Sequence, residues 1–222
     1  YKDSQGSTCK GIAPCAKDKY GRIGKRVKDI EIPSHLQKYI FDDELYGDIL
    51  CEGAQGIWLD INYGDYPYVT SSLTLPYSAC SLGFTPNKIR DIYGAIKIYD
   101  TRVGIDPEFK KNIIESDIDI LNKIAEVGNE KGTTTGRNRN VNWLNVDKLV
   151  KSINLSGCTK VIISKIDILK QVNKFKLIIN NELIEYKMLD TIINELSNYL
   201  QEKCYLKLII FSDSPKEIKN LA

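Results

Sequence analysis

Two stretches of this chain concentrate side chains able to do chemistry. Residues 51–72, CEGAQGIWLDINYGDYPYVTSS, hold Gly53, Gly56 and Gly64, the amides of Gln55 and Asn62, and a hydroxyl run from Thr70 to Ser72. Glycine costs backbone entropy wherever its freedom is not required, so this density of glycine, amide and hydroxyl predicts a ligand-holding loop at a strand exit. Residues 128–140, GNEKGTTTGRNRN, set Thr133, Thr134 and Thr135 between Gly132 and Gly136, followed by Arg137 and Arg139. That pattern reads either as a donor-rich clamp, guanidinium being a bidentate receptor for carboxylate or phosphate, or as a mobile surface loop. A shorter signal is Ser164-Lys165-Ile166-Asp167. An aspartate there accepts from both the ring N–H and the exocyclic amine of guanine, a donor pair adenine lacks, while the lysine stem packs over the base. Four letters alone are a weak signal.

These loops need elements to position them. Apolar runs predict strands over 48–51, 93–99, 159–163, 174–179 and 205–211. Helical spacing predicts helices over 32–45 with Ser34 as a cap, over 110–127, over 143–155 ended by Gly157, and over 188–202, with a short helical turn at 86–87. Strands alternating with helices imply an α/β fold, a largely parallel sheet flanked by helices, with the polar loops on its carboxyl edge. The 222 residues, 42% hydrophobic and 27% charged, are enough for one domain over 1–222. A net charge of +2, from 31 basic and 29 acidic residues, gives no electrostatic case for nucleic acid or membrane. Six cysteines without CxxC spacing and a single histidine, His35, predict free thiols, no metal site and a cytoplasmic protein. His35 reads as a surface residue. The basic run Lys17, Lys19, Arg22, Lys25 and Arg26, after Gly6-Ser7-Thr8 and Gly11, reads as a solvated face or as an anion site. No apolar run approaches the roughly 20 residues of a membrane span, and an opening on Tyr1 suggests an excerpt of a longer protein.

Taken in order, EGAQG at 52–56, YPYVTSS at 66–72, TRVG at 101–104, GTTTGR at 132–137 and KID at 165–167 resemble the adenylosuccinate synthase family. The resemblance runs from Gly6 to about Pro215. It implies a P-loop-NTPase-like fold with its amino-terminal portion missing, and GTP-dependent joining of L-aspartate to IMP. In that chemistry GTP phosphorylates O6 of the purine with Mg²⁺ bound, and the aspartate amine then displaces the phosphate. By the same resemblance Thr8, Arg22, Gln55, Thr70 and Arg137 bind IMP, with Gln55 on the purine edge as an assisting catalytic group and Arg22 reaching across a homodimer interface. Thr133, Thr134, Thr135, Gly136, Arg137 and Arg139 take aspartate, and Arg139, Lys165, Ile166 and Asp167 take GTP. Lys19 and Arg26 flank the phosphate.

The chain also departs from the family pattern. A phosphate-binding glycine loop ending in lysine is absent, as are the family's catalytic aspartate and histidine. Asn62 stands where an aspartate is usual, Ser7 and Cys9 alter the first phosphate loop, and Ser214 with Lys216-Glu217 alters the last turn. Two further readings are a phage-type relative joining aspartate to dGMP and a catalytically inactive nucleotide-binding member.

Overall fold

The computed structural model describes residues 8–41, 43–132 and 136–213. The chain divides into two compact units, residues 1–88 and 89–222, at a point where the sequence marks no boundary.

The first unit is built from short helical pieces and loops: α1 (Ile12–Tyr20), α2 (Ser34–Gln37) and 3-10 turns at Val27–Asp29, Ile57–Leu59, Pro76–Leu82 and Pro86–Lys88. Two expectations are corrected here. The helix over 32–45 shrinks to the four residues of α2, and its cap position is Pro33 rather than Ser34. So short a helix forms too few hydrogen bonds to repay nucleation unless a face is buried against a neighbour, and no residue of α2 is buried. The strand over 48–51 is not formed, and Leu50 is 89% exposed. A short apolar run becomes a strand only when another strand pairs with it, and none does so here. Among the described residues of this unit only Asp60 and Leu75 are buried.

The second unit carries the core. A parallel sheet joins β1 (Tyr93–Lys97), β4 (Lys160–Ser164) and β7 (Leu208–Phe211) in the order β1-β4-β7, with Ile163 opposite both Ile96 and Phe211. A second sheet runs β2-β3-β5-β6, from β2 (Tyr99–Arg102), β3 (Asn140–Asn145), β5 (Phe175–Ile179) and β6 (Glu182–Tyr186). Its central pair β3/β5 is parallel, and β2/β3 and β5/β6 are antiparallel. The α/β expectation with a parallel sheet flanked by helices therefore holds.

The strand expected over 93–99 is two strands in two sheets. Ile98 lies between them, fully buried, and its N–H donates to the Ser164 carbonyl at 3.0 Å. The helix expected over 110–127 is broken into α3 (Pro107–Lys111), a 3-10 turn at Glu115–Asp117 and α4 (Ile118–Val127). The side chain of Asn142 holds the break, its amide donating to the Asn112 carbonyl at 2.6 Å and its oxygen accepting from Ile114 N at 3.4 Å. Residues 143–145 belong to β3 rather than to a helix. Only from Val146 does the chain turn into α5 (Val146–Ser156), where the Asn145 side chain caps Lys148 N at 2.9 Å and Gly157, at φ +68°, ends the helix as expected.

β6 was not anticipated. The hairpin closes through Asn180 and Asn181, at φ +53° and +61°, the paired left-handed geometry of a two-residue turn that asparagine tolerates. After β4 come α6 (Ile166–Val172) and, after β6, α7 (Leu189–Lys203). Helix α7 buries Ile192, Leu196 and Leu200 at four-residue spacing, which removes enough apolar surface for roughly 5–9 kcal/mol before the entropy of ordering is subtracted. None of the six cysteines forms a disulfide.

Candidate functional site

In the first unit the polar loop is organised by a residue the sequence reading passed over. Asp60 is fully buried, and its carboxylate accepts from Asn62 N at 2.8 Å, Thr74 N at 2.6 Å and the Thr74 hydroxyl at 3.3 Å. Burial pushes this carboxyl up, but the N–H groups of Thr74, Asn62 and Tyr63 and the Thr74 hydroxyl outweigh it and hold the pKa below the usual range. Around this brace, Thr70 N donates to the Leu59 carbonyl at 2.8 Å and Ile61 N to the Ser72 carbonyl at 3.3 Å. Residues 59–61 are thereby laced to 70–72, and the hydroxyls of Thr70 and Ser72 sit 3.3 Å apart. Gly64 is required by close packing, since a Cβ there would meet the Trp58 carbonyl oxygen at 2.5 Å. An Asp-x-Asn pair beside a glycine, the signature of a side chain capping its own turn, was the available signal for Asp60.

Thr8 and Gln55 are exposed, Gln55 with a left-handed backbone at φ +61°. Arg22 is likewise exposed at φ +60°, just after α1. Of the basic run, Arg26 is engaged at the surface by Asp29 at 2.7 Å, and Lys19 lies over the Tyr20 ring. His35 is exposed on α2.

In the second unit the loop at 128–140 and the strand exit after β4 are brought together. The loop is a tight hairpin: Gly132 N donates to the Arg137 carbonyl at 2.8 Å, Gly136 N to the Gly132 carbonyl at 2.7 Å, and Arg139 N to the Glu130 carbonyl at 3.0 Å. Thr133, Thr134 and Thr135 lie outside the described residues. Gly136 takes the left-handed φ of +63° that glycine permits. Arg137 is half-buried, and the Nε of Arg139 donates to the Lys131 carbonyl at 3.2 Å.

At the base of this hairpin sits Glu130, 5% exposed. It accepts from Lys97 Nζ at 2.6 Å and from the Tyr99 hydroxyl at 2.7 Å, with Arg139 Nε at 3.6 Å. Burial pushes the Glu130 carboxyl up, but the hydrogen bonds from Lys97 and Tyr99 and the charges of Lys97 and Arg139 hold it low. For Lys97 burial wins. Its ammonium is held below the usual lysine range, because Glu130 alone opposes burial and the repulsion of Arg139 and Lys165. Burial and Glu130 likewise push the Tyr99 phenol up. The sequence signal was a lysine inside the apolar strand YGAIKIY, since a lysine is buried only with a partner.

Lys165, at φ +68°, caps the start of α6 and reaches back to the Gly128 carbonyl at 3.0 Å. It therefore ties the strand exit to the hairpin. Gly128 is itself pinned, because a Cβ would stand 2.6 Å from the Tyr99 hydroxyl. Ile166 is part of the core, leaving only its backbone to face a ligand. Asp167 Oδ1 is shielded from solvent and has no hydrogen-bond partner among the described residues. Such an acceptor costs free energy until a donor reaches it. The arginine of the TRVG motif has a structural role: Arg102 is buried 2.9 Å from Asp106, the cap of α3.

Among the described residues no group of three or more His, Cys, Asp or Glu side chains is placed to hold a metal ion.

The adenylosuccinate synthetase family model matches residues 39–220. Adenylosuccinate synthetase from Flavobacterium psychrophilum is 36% identical over 220 aligned residues, covering 77% of this chain and 51% of its own. The chain belongs to the adenylosuccinate synthetase family. A structure of the fully ligated adenylosuccinate synthetase from Plasmodium falciparum superposes with a TM-score of 0.52 at 33% identity, over 62% of this chain and 33% of that one. A cyanophage S-2L succinoaminodeoxyadenylate synthetase bound to dGMP and dATP reaches a TM-score of 0.41 at 17% identity, too remote to bear on fold or substrate. The adenylosuccinate synthetase match takes in the Asp60-braced loop, the hairpin and the strand exit, while Thr8 and Arg22 precede it. The chain spans about half the length of the curated adenylosuccinate synthetases from Flavobacterium that it matches.

Proposed function

We propose that the protein containing this chain joins L-aspartate to IMP at the expense of GTP, through a 6-phosphoryl-IMP intermediate, to give adenylosuccinate. Mg²⁺, when bound by groups outside this chain, would neutralise phosphate charge. This chain supplies binding rather than proton transfer. Gln55 and Thr70 face IMP with Thr8, Gln55 donating and accepting on the purine edge without a charge to desolvate. Residues 133–136 with Arg137 and Arg139 close on the aspartate carboxylates, Arg137 also nearing IMP and Arg139 nearing GTP. Lys165, Ile166 and Asp167 read guanine.

The observation that carries this reading is the shielded Asp167 oxygen, without a donor among the described residues, two positions after Lys165 at the exit of a parallel strand. Guanine brings two adjacent N–H donors and adenine does not, which supports GTP as phosphoryl donor. The same pair favours the ordinary reaction over the phage-type ligation of aspartate to dGMP. Arg22 acts across a homodimer, and the protein works in the cytoplasm.

The test is an initial-rate assay of the full-length protein and of this chain alone with IMP, aspartate and Mg-GTP, with dGMP as competitor. Turnover by the full-length protein alone, with IMP preferred, is expected. Clear turnover by the excerpt would refute the division of roles, and preference for dGMP would refute the substrate.

A further inference from the structure

Three cations, Lys97, Arg139 and Lys165, converge on the stem of the hairpin, and one buried carboxylate stands among them. Glu130 takes the Lys97 ammonium at 2.6 Å and the Tyr99 hydroxyl at 2.7 Å, and lies 3.6 Å from Arg139 Nε. Lys97 also donates to the Thr101 hydroxyl at 3.2 Å, and Lys165 holds the Gly128 carbonyl at 3.0 Å, two residues before Glu130. Opposite charges close together in a partly dry site attract strongly, and like charges repel by the same law. Remove the carboxylate and three cations face one another across the stem.

We propose that Glu130 is a positioning residue that holds Arg139 and the hairpin stem against the Lys165 strand exit, coupling the clamp that takes the carboxylate substrate to the site that reads guanine. This rests on the proposed roles of Arg139 and Lys165. Glu130 touches no substrate; it acts through the guanidinium it steadies and through the backbone between residues 128 and 130. Because both ends share this anchor, disturbing it moves the two substrates' affinities together.

The experiment uses the full-length protein with Glu130→Gln, which keeps shape and an acceptor but removes the charge. Loosening groups that hold both substrates weakens their binding, so KM for aspartate and KM for GTP are both expected to rise by about ten-fold, the scale of a weakened charge-assisted contact, with kcat changing less. Glu130→Asp restores the charge on a shorter arm and is expected to recover part of both constants, which a purely packing role would not allow. Should Glu130→Gln fail to fold, Tyr99→Phe removes one donor to the carboxylate with the ring left packed, and is expected to raise the same two constants by a smaller factor. Asp117→Asn, which weakens the separate Trp143 and Lys176 contacts, serves as a destabilised control with both constants unchanged.

Arg139→Leu separates the two levels of the argument. If it raises both constants while folded Glu130→Gln and Tyr99→Phe leave them unchanged, the positioning role is overturned and the clamp stands. If Arg139→Leu itself changes nothing, the clamp reading falls and takes this one with it. In the Arg139→Leu background Glu130→Gln should add little, because the group it positions is gone.

Discussion

At the residue scale, the side chains that motif spacing singles out differ sharply in how far the fold has prepared them. Asp167 is prepared: one of its carboxylate oxygens is shielded and lacks a donor among the described residues. Asp167→Asn in the full-length protein should raise KM for GTP by about ten- to a hundred-fold, the scale of a lost charge-assisted hydrogen bond. It should also improve relative use of XTP, whose C2 oxygen accepts from the new amide; rates measured with the two nucleotides decide this. Gln55 and Arg22 are exposed on left-handed backbone. For Arg137→Leu a loss of about 2–3 kcal/mol of transition-state stabilisation is expected, read as kcat/KM. An unchanged value would remove Arg137 from the site.

At the element scale, the two sheets are pinned by buried polar pairs as much as by apolar packing. Trp143 of β3 donates to Asp117 at 2.7 Å, and Lys176 of β5 approaches the same carboxylate at 2.8 Å, lying also over the Trp143 ring. Asp117 thus fastens the 3-10 turn before α4 to two neighbouring strands. Removing Asp117 leaves the buried indole N–H without its acceptor and Lys176 with Glu185 alone at 3.3 Å, so Asp117→Ala should cost about 2–3 kcal/mol in denaturant unfolding. A loss under about 1 kcal/mol would mean that the ion pair is dispensable. A neighbouring side chain of β3, the amide of Asn142, explains why the helical pattern over 110–127 fails. Sequence spacing records which residues are apolar, whereas the break at 112–114 is made by Asn142 from a strand about thirty residues away.

At the scale of the whole molecule, Asp100 makes stability depend on pH. Burial raises its carboxyl from 3.8 to about 6, against the opposing Asn145 N–H and the Lys148 charge. Between those values the folded state keeps a proton that the unfolded chain has lost, so stability falls as pH rises through the window and stays lower above it. The penalty near neutrality is about 3 kcal/mol as an upper figure. Asp100→Asn, which can still accept from Asn145 N, should therefore be more stable than wild type near pH 7 and lose that advantage near pH 4. Denaturant midpoints at the two pH values check it, and a pH-independent difference would contradict the burial argument. Assembly belongs to this scale too: with Arg22 acting in trans, sedimentation of the active full-length protein should show a dimer, and an active monomer would contradict it.

Local chemistry was legible in the sequence by itself: the α/β pattern, Gly157 ending a helix, the strand before Lys165, and the motifs that place the chain in its family. These depend on residue type and near spacing, which backbone sterics and side-chain inventories translate directly. Only the tertiary structure decided which apolar runs find a partner. Residues 48–51 find none and stay exposed, 143–145 pair as strand β3 instead of coiling, and 93–99 divides between two sheets. It brought Thr74 to Asp60 and Lys97 and Tyr99 to Glu130, long-range donors at which the local signals for these acids only hint. Burial and long-range pairing are collective properties of the folded chain, so no local window of sequence contains them.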